Sequence, residues 1–359
     1  MLEQRASRGV PGTGFPVETT VRDALYDRIP LSVPELALIA TPVFLRLERI
    51  QQLGFVSRVW PGARHARYEH SLGVLHLARL AVDHLRAIPA GSWITDEDAR
   101  VITAAALLHD VGHYPFSHAI EELGPPVLPH EVVGRRIIEG PEIAPILRNV
   151  WQIDPARVAS VVAPNGRTLP PADEVLRGIL SGPLDIDKLD YLPRDARACN
   201  VPYGGVDTGR LLDSLTLAEL PIDETTPYQP TPQTRIVVGA KGISPLHSLI
   251  NARQEMFDNV YWHHTNRACM VMLLRAVQEA LLAHAITPEA LTNLDDASLL
   301  ALFRRPDVPE STRRLTAALE HRHIHKRAVE ISARAFELYA RLGNLYFDPL
   351  ARRDAEIQL

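Results

Sequence analysis

The stretch Leu107-Leu108-His109-Asp110-Val111-Gly112-His113-Tyr114-Pro115-Phe116-Ser117-His118 constrains this chain more than any other. It sets three histidines and an aspartate directly after an apolar run. Imidazole and carboxylate are the side chains that hold Mn, Fe, Zn or Ni, so the stretch is a candidate metal site. A helix is expected ahead of it. Thr95 is a good N-cap, Asp98 stands three residues on as in a capping box, and Asp96 and Glu97 suit the positive end of a helix dipole. From Val101 to Leu108 the side chains are apolar nearly all round, which predicts a central buried helix. Such a helix, ending in His-Asp, delivers both side chains to an internal cleft. The bland alternative is that His109 and Asp110 only cap a helix C-terminus.

The chain has 359 residues, enough for one large domain or two ordinary ones. Hydrophobic residues make up 46% and charged residues 23%, as in a globular protein with a real core. With 38 basic and 43 acidic residues the formal charge is −5, which argues against non-specific nucleic-acid binding. Cys199 and Cys269 are too few for a disulfide framework and fit a reducing cytoplasm. No run is apolar enough to span a membrane, and residues 1–17, rich in Gly, Pro and Arg, read as a flexible tail.

In chain order, Val21 to Leu31 reads as a strand pair or hairpin, and Val33-Pro34 as a helix start. Thr41-Pro42 opens a helix expected to carry Val43, Phe44, Leu47, Ile50 and Leu53 and to stop at Gly54. Glu69 to Ile88 is helical by its leucine spacing and holds His70 in its first turn. Further helices are expected over His130–Glu139, Val158–Val162, Val175–Leu180 and Ile186–Ala198. From 217 to 245 Pro, Thr and Gln dominate, with a strand at Arg235–Gly239, and helices resume at Leu246 and run to the C-terminus. The fold class is therefore mainly α with a small β component. The expected division is a catalytic domain over 18–290 and a C-terminal helical region over 291–359.

Beyond His109 and Asp110, candidate ligands lie on other amphipathic helices. His70 is one. The other is a carboxylate among Asp185, Asp187 and Asp190, between which spacing does not choose. Converging helices are a common way to build a metal site. Taken singly, His70 could be a surface histidine and Asp187 a helix-start carboxylate.

The motifs RYEHSLG at 67–73, HDVGHYPFSH at 109–118, PHE at 129–131 and DIDKLDYLPRD at 185–195 resemble the HD-domain phosphohydrolases. Within them they are similar to the deoxynucleoside triphosphate triphosphohydrolases of the sterile-alpha-motif-and-HD-domain type, from about Val21 to Leu274. No sterile-alpha-motif domain is expected in the short N-terminal segment. The resemblance implies a helical HD bundle, a divalent metal (Mn, Fe, Mg, Zn or Ni) held by His70, His109, Asp110 and Asp187, and hydrolysis of a dNTP to deoxynucleoside and triphosphate by metal-activated water at the α-phosphorus. It implies that His118 is the general acid, oriented by Glu121, with His113 and His130 beside it. It places Arg67, Lys188 and Arg253 on phosphates, and Gln52, Leu53, Tyr191, Asp195 and Tyr261 around the deoxyribose. There a Tyr ring under C2′ excludes a hydroxyl and polar groups bond the 3′-hydroxyl. A homo-oligomer in the cytoplasm is expected.

One departure stands out. Where animal members of this family carry an Asp and an Arg that read an activating guanine nucleotide, this chain has Ala40 and Glu48. Two other classes of function compete with this reading: another HD phosphohydrolase (a nucleotidase, phosphodiesterase or single-strand nuclease) and a nucleotide-binding regulatory protein. The motif HDVGH, in place of HDxxED, argues against a guanosine-tetraphosphate hydrolase.

Overall fold

A computed structural model describes residues 10–166, 168–220, 233–327, 329–345 and 348–358. A hairpin opens the fold: β1 (Thr19–Asp23) pairs antiparallel with β2 (Asp27–Leu31), Thr19 facing Leu31. Asp23 Oδ1 accepts from the N–H groups of Leu25 and Tyr26, which closes the turn. Helix α1 (Val33–Ile39) follows, with Ser32 and Glu35 forming a capping box.

Two long helices make the frame. Helix α2 (Arg67–Ala87) packs along α3 (Asp96–Leu108), whose Thr95 Oγ1 accepts from Asp98 N–H in the expected capping box. Val101, Ile102, Leu107 and Leu108 are fully buried, as their all-round apolarity predicts. Around this pair lie α4 (His130–Ile138), α5 (Pro155–Val162), α6 (Pro171–Leu180) and α7 (Ile186–Cys199). Arg79 is buried in the frame but not unpaired: it meets Glu35 in an ion pair and donates to Pro30 O at 2.7 Å. Within the segment expected to be a tail, Val10 is buried and Phe15 packs edge-on against Trp151 at 5.6 Å. Residues 1–9 lie outside the described residues.

A second ribbon joins β3 (Leu215–Leu220) to β4 (Gln233–Val238), antiparallel, with Leu215 facing Val238. Helices α8 (Ile243–Met256), α9 (His264–Leu282), α10 (Asp296–Phe303) and α11 (Glu310–Glu320) follow. Two apolar cores result. One is built mainly from the hairpin and α1 to α8. The other gathers Phe55, Tyr114, Phe116 and Ile120 against Leu273, Val277, Leu291, Phe303 and Leu319 of the C-terminal helices. The fold is mainly helical, with two small two-stranded sheets among the described residues.

Four local expectations are corrected. The helix begun at Pro42 ends at Leu45, gives a 3₁₀ turn over Arg46–Arg49, and Gly54 starts another such turn instead of stopping a helix. Phe44, Leu47 and Ile50 are still fully buried, so the apolar spacing is satisfied without a helix. The backbone N–H groups of Gln51 and Gln52 bond to Asp296 and to His65 O, and these long-range bonds replace helical ones. The strand β3 was unforeseen; it lies at the start of the Pro- and Thr-rich stretch, of which 221–232 lie outside the described residues. The helix expected from Leu246 begins at Ile243, and a wide π turn over Phe257–Tyr261 separates it from the next. Past Glu320 no helix is seen among the described residues until Phe336–Asn344.

Candidate metal centre

Helices α2 and α7 and the end of α3 bring the expected ligands together. His70 Nε2 lies 2.9 Å from Asp187 Oδ1 and 3.8 Å from Asp110 Oδ2. His109 Nε2 lies 3.3 Å from Asp110 Oδ1 and 3.8 Å from Asp187 Oδ1. The ligand atoms of His70, His109 and Asp187 lie within 4.8 Å of one another.

Each imidazole is held in the tautomer a metal needs. His70 Nδ1 donates to Asp190 Oδ2 at 2.8 Å, and His109 Nδ1 donates to Ala106 O at 2.8 Å, so both Nε2 atoms are turned inward. His109 Nε2 is buried without a hydrogen-bond partner among the described residues. An orphaned, buried imidazole nitrogen facing two carboxylates fits a divalent cation and fits a dry protein badly. Asp190 is fixed in turn by Arg194, in a bidentate pair at 2.8 and 2.9 Å, and by the Tyr26 hydroxyl at 2.8 Å. Gly73 permits this arrangement, because a Cβ there would collide with the Asp190 carboxylate.

The electrostatics agree. Burial disfavours a charge on His70, yet its hydrogen bonds to Asp187 and Asp190 raise its pKa to about 10. Burial pushes the Asp110 carboxyl up, but Arg67, His109 and His113 hold it well below the usual carboxylate range. Asp187, against the same burial, is held low by His109 and His70.

A second cluster adjoins the first. His113, His118, Glu121 and His130 place ligand-type atoms within 4.8 Å of one another. His113 and His130 stack at 3.8 Å. Gly112 allows this, since a Cβ there would strike His130 O and Gly134 N on α4. Glu121 accepts from His130 Nδ1 at 3.0 Å and from its backbone N–H at 3.2 Å, while His118 Nδ1 is 3.5 Å away. Burial raises the Glu121 carboxyl, but His118 and His130 outweigh it and hold the group low; burial lowers His130, but Glu121 brings it above its ordinary value. Burial, Arg67 and His130 keep His113 neutral. The side chain of His118 is 65% exposed, so it alone in this cluster reaches freely into solvent-filled space.

Arg67 ties the two clusters. Its Nη1 donates to Asp110 Oδ2 at 2.5 Å and its Nε to Ser117 Oγ at 2.8 Å. A cavity of about 200 Å³ lies over Arg67, His109, Asp110, His118, His130 and Asp187. It adjoins a cavity of about 350 Å³ lined by Gln52, Leu53, Arg67, Tyr191, Asp195 and Tyr261, among others. There Asp195 accepts from the Tyr261 hydroxyl at 2.7 Å and meets His65 Nε2 at 2.8 Å.

Two expected residues sit apart. Lys188 bonds Asp185 Oδ2 at 2.5 Å and Gly182 O at 3.2 Å, and Arg253 lies 5.3 Å over the Phe257 ring. Both line a third cavity with Leu246, Ile250 and Trp262. The π turn at Phe257–Tyr261 interrupts the regular α-helical spacing between Arg253 and Tyr261. Ala40 and Glu48 are both exposed. Sequence reading missed Ser117, His65 and the role of Asp190. Only the last had a signal, the Asp190–Arg194 spacing of four residues on a helix.

A helical frame that points two pinned imidazoles and two carboxylates into a cleft is an arrangement that can hold a divalent cation. An HD domain matches residues 67–194 and an HD associated region matches residues 206–357, and the chain belongs to the HD-domain phosphohydrolases. It is 30% identical over 313 residues to an uncharacterized protein of Methanocaldococcus jannaschii, covering 87% of this chain and 60% of that one. It is 34% identical over 249 residues to an uncharacterized protein of Bacillus subtilis, YwfO, covering 69% and 52%. It is 26% identical over 326 residues to the deoxynucleoside triphosphate triphosphohydrolase SAMHD1 homolog of Dictyostelium discoideum, covering 87% and 60%. The chain thus spans about half to three fifths of the length of these relatives. Among the described residues no helix is long and apolar enough to cross a membrane.

Proposed function

We propose that this protein is a metal-dependent deoxynucleoside triphosphate triphosphohydrolase that releases deoxynucleoside and triphosphate. The observation that carries the reading is the shared wall of the two adjoining cavities, where Gln52, Arg67, His118, Asp187 and Tyr191 line both. That wall sets a metal-ligand cluster, a proton donor and a sugar-sized pocket side by side. His70, His109, Asp110 and Asp187 would hold the ion. A divalent cation there, such as Mn²⁺, Fe²⁺ or Mg²⁺, neutralises phosphate charge and acidifies bound water.

The chain's own residues do the rest. Arg67, anchored on Asp110 and Ser117, presents its remaining N–H groups to a phosphate. His118 is free to swing to the leaving 5′-oxygen and protonate it, with Glu121 beside it to stabilise the imidazolium. Asp195 holds the Tyr261 hydroxyl and so fixes the ring that would exclude a 2′-hydroxyl. The full reading includes a cytoplasmic homo-oligomer, checked by sedimentation of the metal-loaded protein.

The test is product analysis of each dNTP and rNTP with Mn²⁺, Mg²⁺ or Fe²⁺. Release of intact triphosphate with deoxynucleoside is expected. A second reading, another phosphoesterase of the family, is favoured by one observation: Lys188 and Arg253 line a further cavity that borders the sugar-sized one at Phe257 and Trp262, and neither lines the cavity over the metal cluster. Stepwise loss of phosphate would identify that activity. A protein that binds nucleotide and metal but turns over neither would be a regulatory member.

A further inference from the structure

Two residues at the heart of the site hold a costly backbone. Phe116 has φ 59° and ψ 26°, and Ser117 has φ 62°. Consecutive left-handed residues with β-carbons are strained, and such strain persists only where surroundings impose it. The turn matters because of what it carries: Ser117 Oγ accepts from Arg67 Nε and donates to Gln51 O at 2.7 Å, and His118 is next in the chain.

The restraint comes from the C-terminal region, 180 residues away. Asp296, buried at the first turn of α10, accepts the Phe116 N–H on Oδ1 at 2.6 Å and the Gln51 N–H on Oδ2 at 3.0 Å. One carboxylate therefore clamps both backbone strands that flank the substrate cavity. Helix capping does not explain it, because Asp295 already caps α10 by accepting from Ser298 N–H at 2.8 Å and also pairs with Arg49 at 2.6 Å. Charge-assisted bonds to N–H are strong enough to hold an unfavourable turn.

We infer that Asp296 is a positioning residue of the active site, setting the Phe116–Ser117 turn and through it the placement of His118 and Arg67. The inference rests on the reading of His118 and Arg67 as reaction groups. The charged groups that face Asp296 are Asp295 on its own helix, Arg67 from α2 and Arg46 from the turn after Pro42. Burial lifts the Asp296 carboxyl to about 6, Asp295 adds to this, and the two N–H bonds and Arg67 act against it. Below that pH the protonated group is a poorer acceptor, so the clamp loosens.

The experiment compares the metal-loaded wild type with Asp296→Asn and Asp296→Ala. Four readouts are taken: metal content, amide exchange at Phe116 and Ser117, and kcat and KM for dGTP and for bis(p-nitrophenyl) phosphate, each rate measured across roughly pH 5 to 8. In the Asn variant exchange should rise about tenfold and kcat fall about tenfold, with metal content kept and KM changed less. The Ala variant should lose more, and the acid-side decline near pH 6 should flatten in both. Unchanged exchange overturns the inference, and so does faster exchange with unchanged kcat, which is a structural role only. If Ala does not fold, Asn decides. If wild type cleaves the diester but not dGTP, the substrate reading fails and Asp296 is judged on the diester; if it cleaves neither, His118 and Arg67 are not reaction groups for these substrates and the inference falls with that reading.

Discussion

The proposed site has two halves, one for a metal and one for an acid, and they are built by different means. The metal half stands on helices: His70 on α2, Asp187 on α7, and His109-Asp110 at the end of α3, with each imidazole pinned through Nδ1 by a carboxylate or a carbonyl. The acid half stands on a short 3₁₀ segment in the loop between α3 and α4, Ser117 to Leu123, entered by a strained turn at Phe116, with an exposed His118 and its restraint supplied by Asp296 of the C-terminal helices. Helix-mounted ligands keep their geometry through a supporting shell on the same frame, here Asp190, Arg194 and Tyr26 behind His70. A loop-mounted acid can move between solvent and leaving group, and it must be steadied from elsewhere.

The comparison is broken most severely by removing the metal half. His109→Ala combined with Asp110→Ala should abolish bound metal and all turnover, as read by elemental analysis and product release. Full metal occupancy in that variant would put the ligand set elsewhere. The acid half should behave differently. His118→Ala should keep metal and nucleotide binding and lose kcat by about 10² or more. If kcat scarcely moves, His130, which Glu121 holds more closely, becomes the better donor.

The same division governs what could be read from the sequence. His70, His109, Asp110 and Asp187 lie in short motifs on, or just past the end of, strongly periodic helices, so the elements that bring them together were legible; their role as ligands is the proposal. Spacing alone did not choose Asp187 over Asp185 or Asp190; the family resemblance did, and the geometry puts Asp190 behind His70 instead. The Gln51–Gly54 stretch misled because its apolar spacing is helical while tertiary hydrogen bonds to Asp296 and His65 decide its path. Asp296 itself was invisible: nothing local in Asn-Leu-Asp-Asp-Ala distinguishes a clamp on Phe116 from an ordinary helix cap. The π turn at Phe257 has no sequence signature either, and it interrupts the helical spacing between Arg253 and Tyr261.

A smaller effect is expected in the sugar pocket, which borders both halves. Tyr261 is fixed through Asp195 rather than through the metal half. Tyr261→Ala should therefore leave metal content alone and lower the preference for dGTP over GTP by about tenfold in kcat/KM, the range one steric contact supplies. Tyr261→Phe keeps the ring and loses only the hydroxyl, so it should keep most of the preference. If wild type hydrolyses both nucleotides equally, or the ratio is unmoved in the Ala variant, the ring is not a steric gate.

The smallest effect tests whether the metal half is held together by groups other than its ligands. His76 lies on α2 two turns from His70, with its ring 4.7 Å from that of Tyr26, the same tyrosine that bonds Asp190. Burial, and then Arg79, lower the pKa of His76 to about 4, with Asp23 and Asp190 opposing. An unfolded histidine titrates near 6.5, so between the two values the unfolded chain binds the extra proton. Stability from a neutral His76 is thus fully present above about pH 6.5 and falls as the pH drops toward 4, by about 3 kcal/mol. Denaturant unfolding of chelator-treated protein at several pH values, for wild type and His76→Gln, isolates this because the ligands titrate alike in both. The difference in stability between the two proteins should shift by that amount across the window in favour of the Gln variant as pH falls. A pH-independent difference would mean that His76 takes up its proton in the folded frame, and that the packing behind His70 yields more readily than its burial implies.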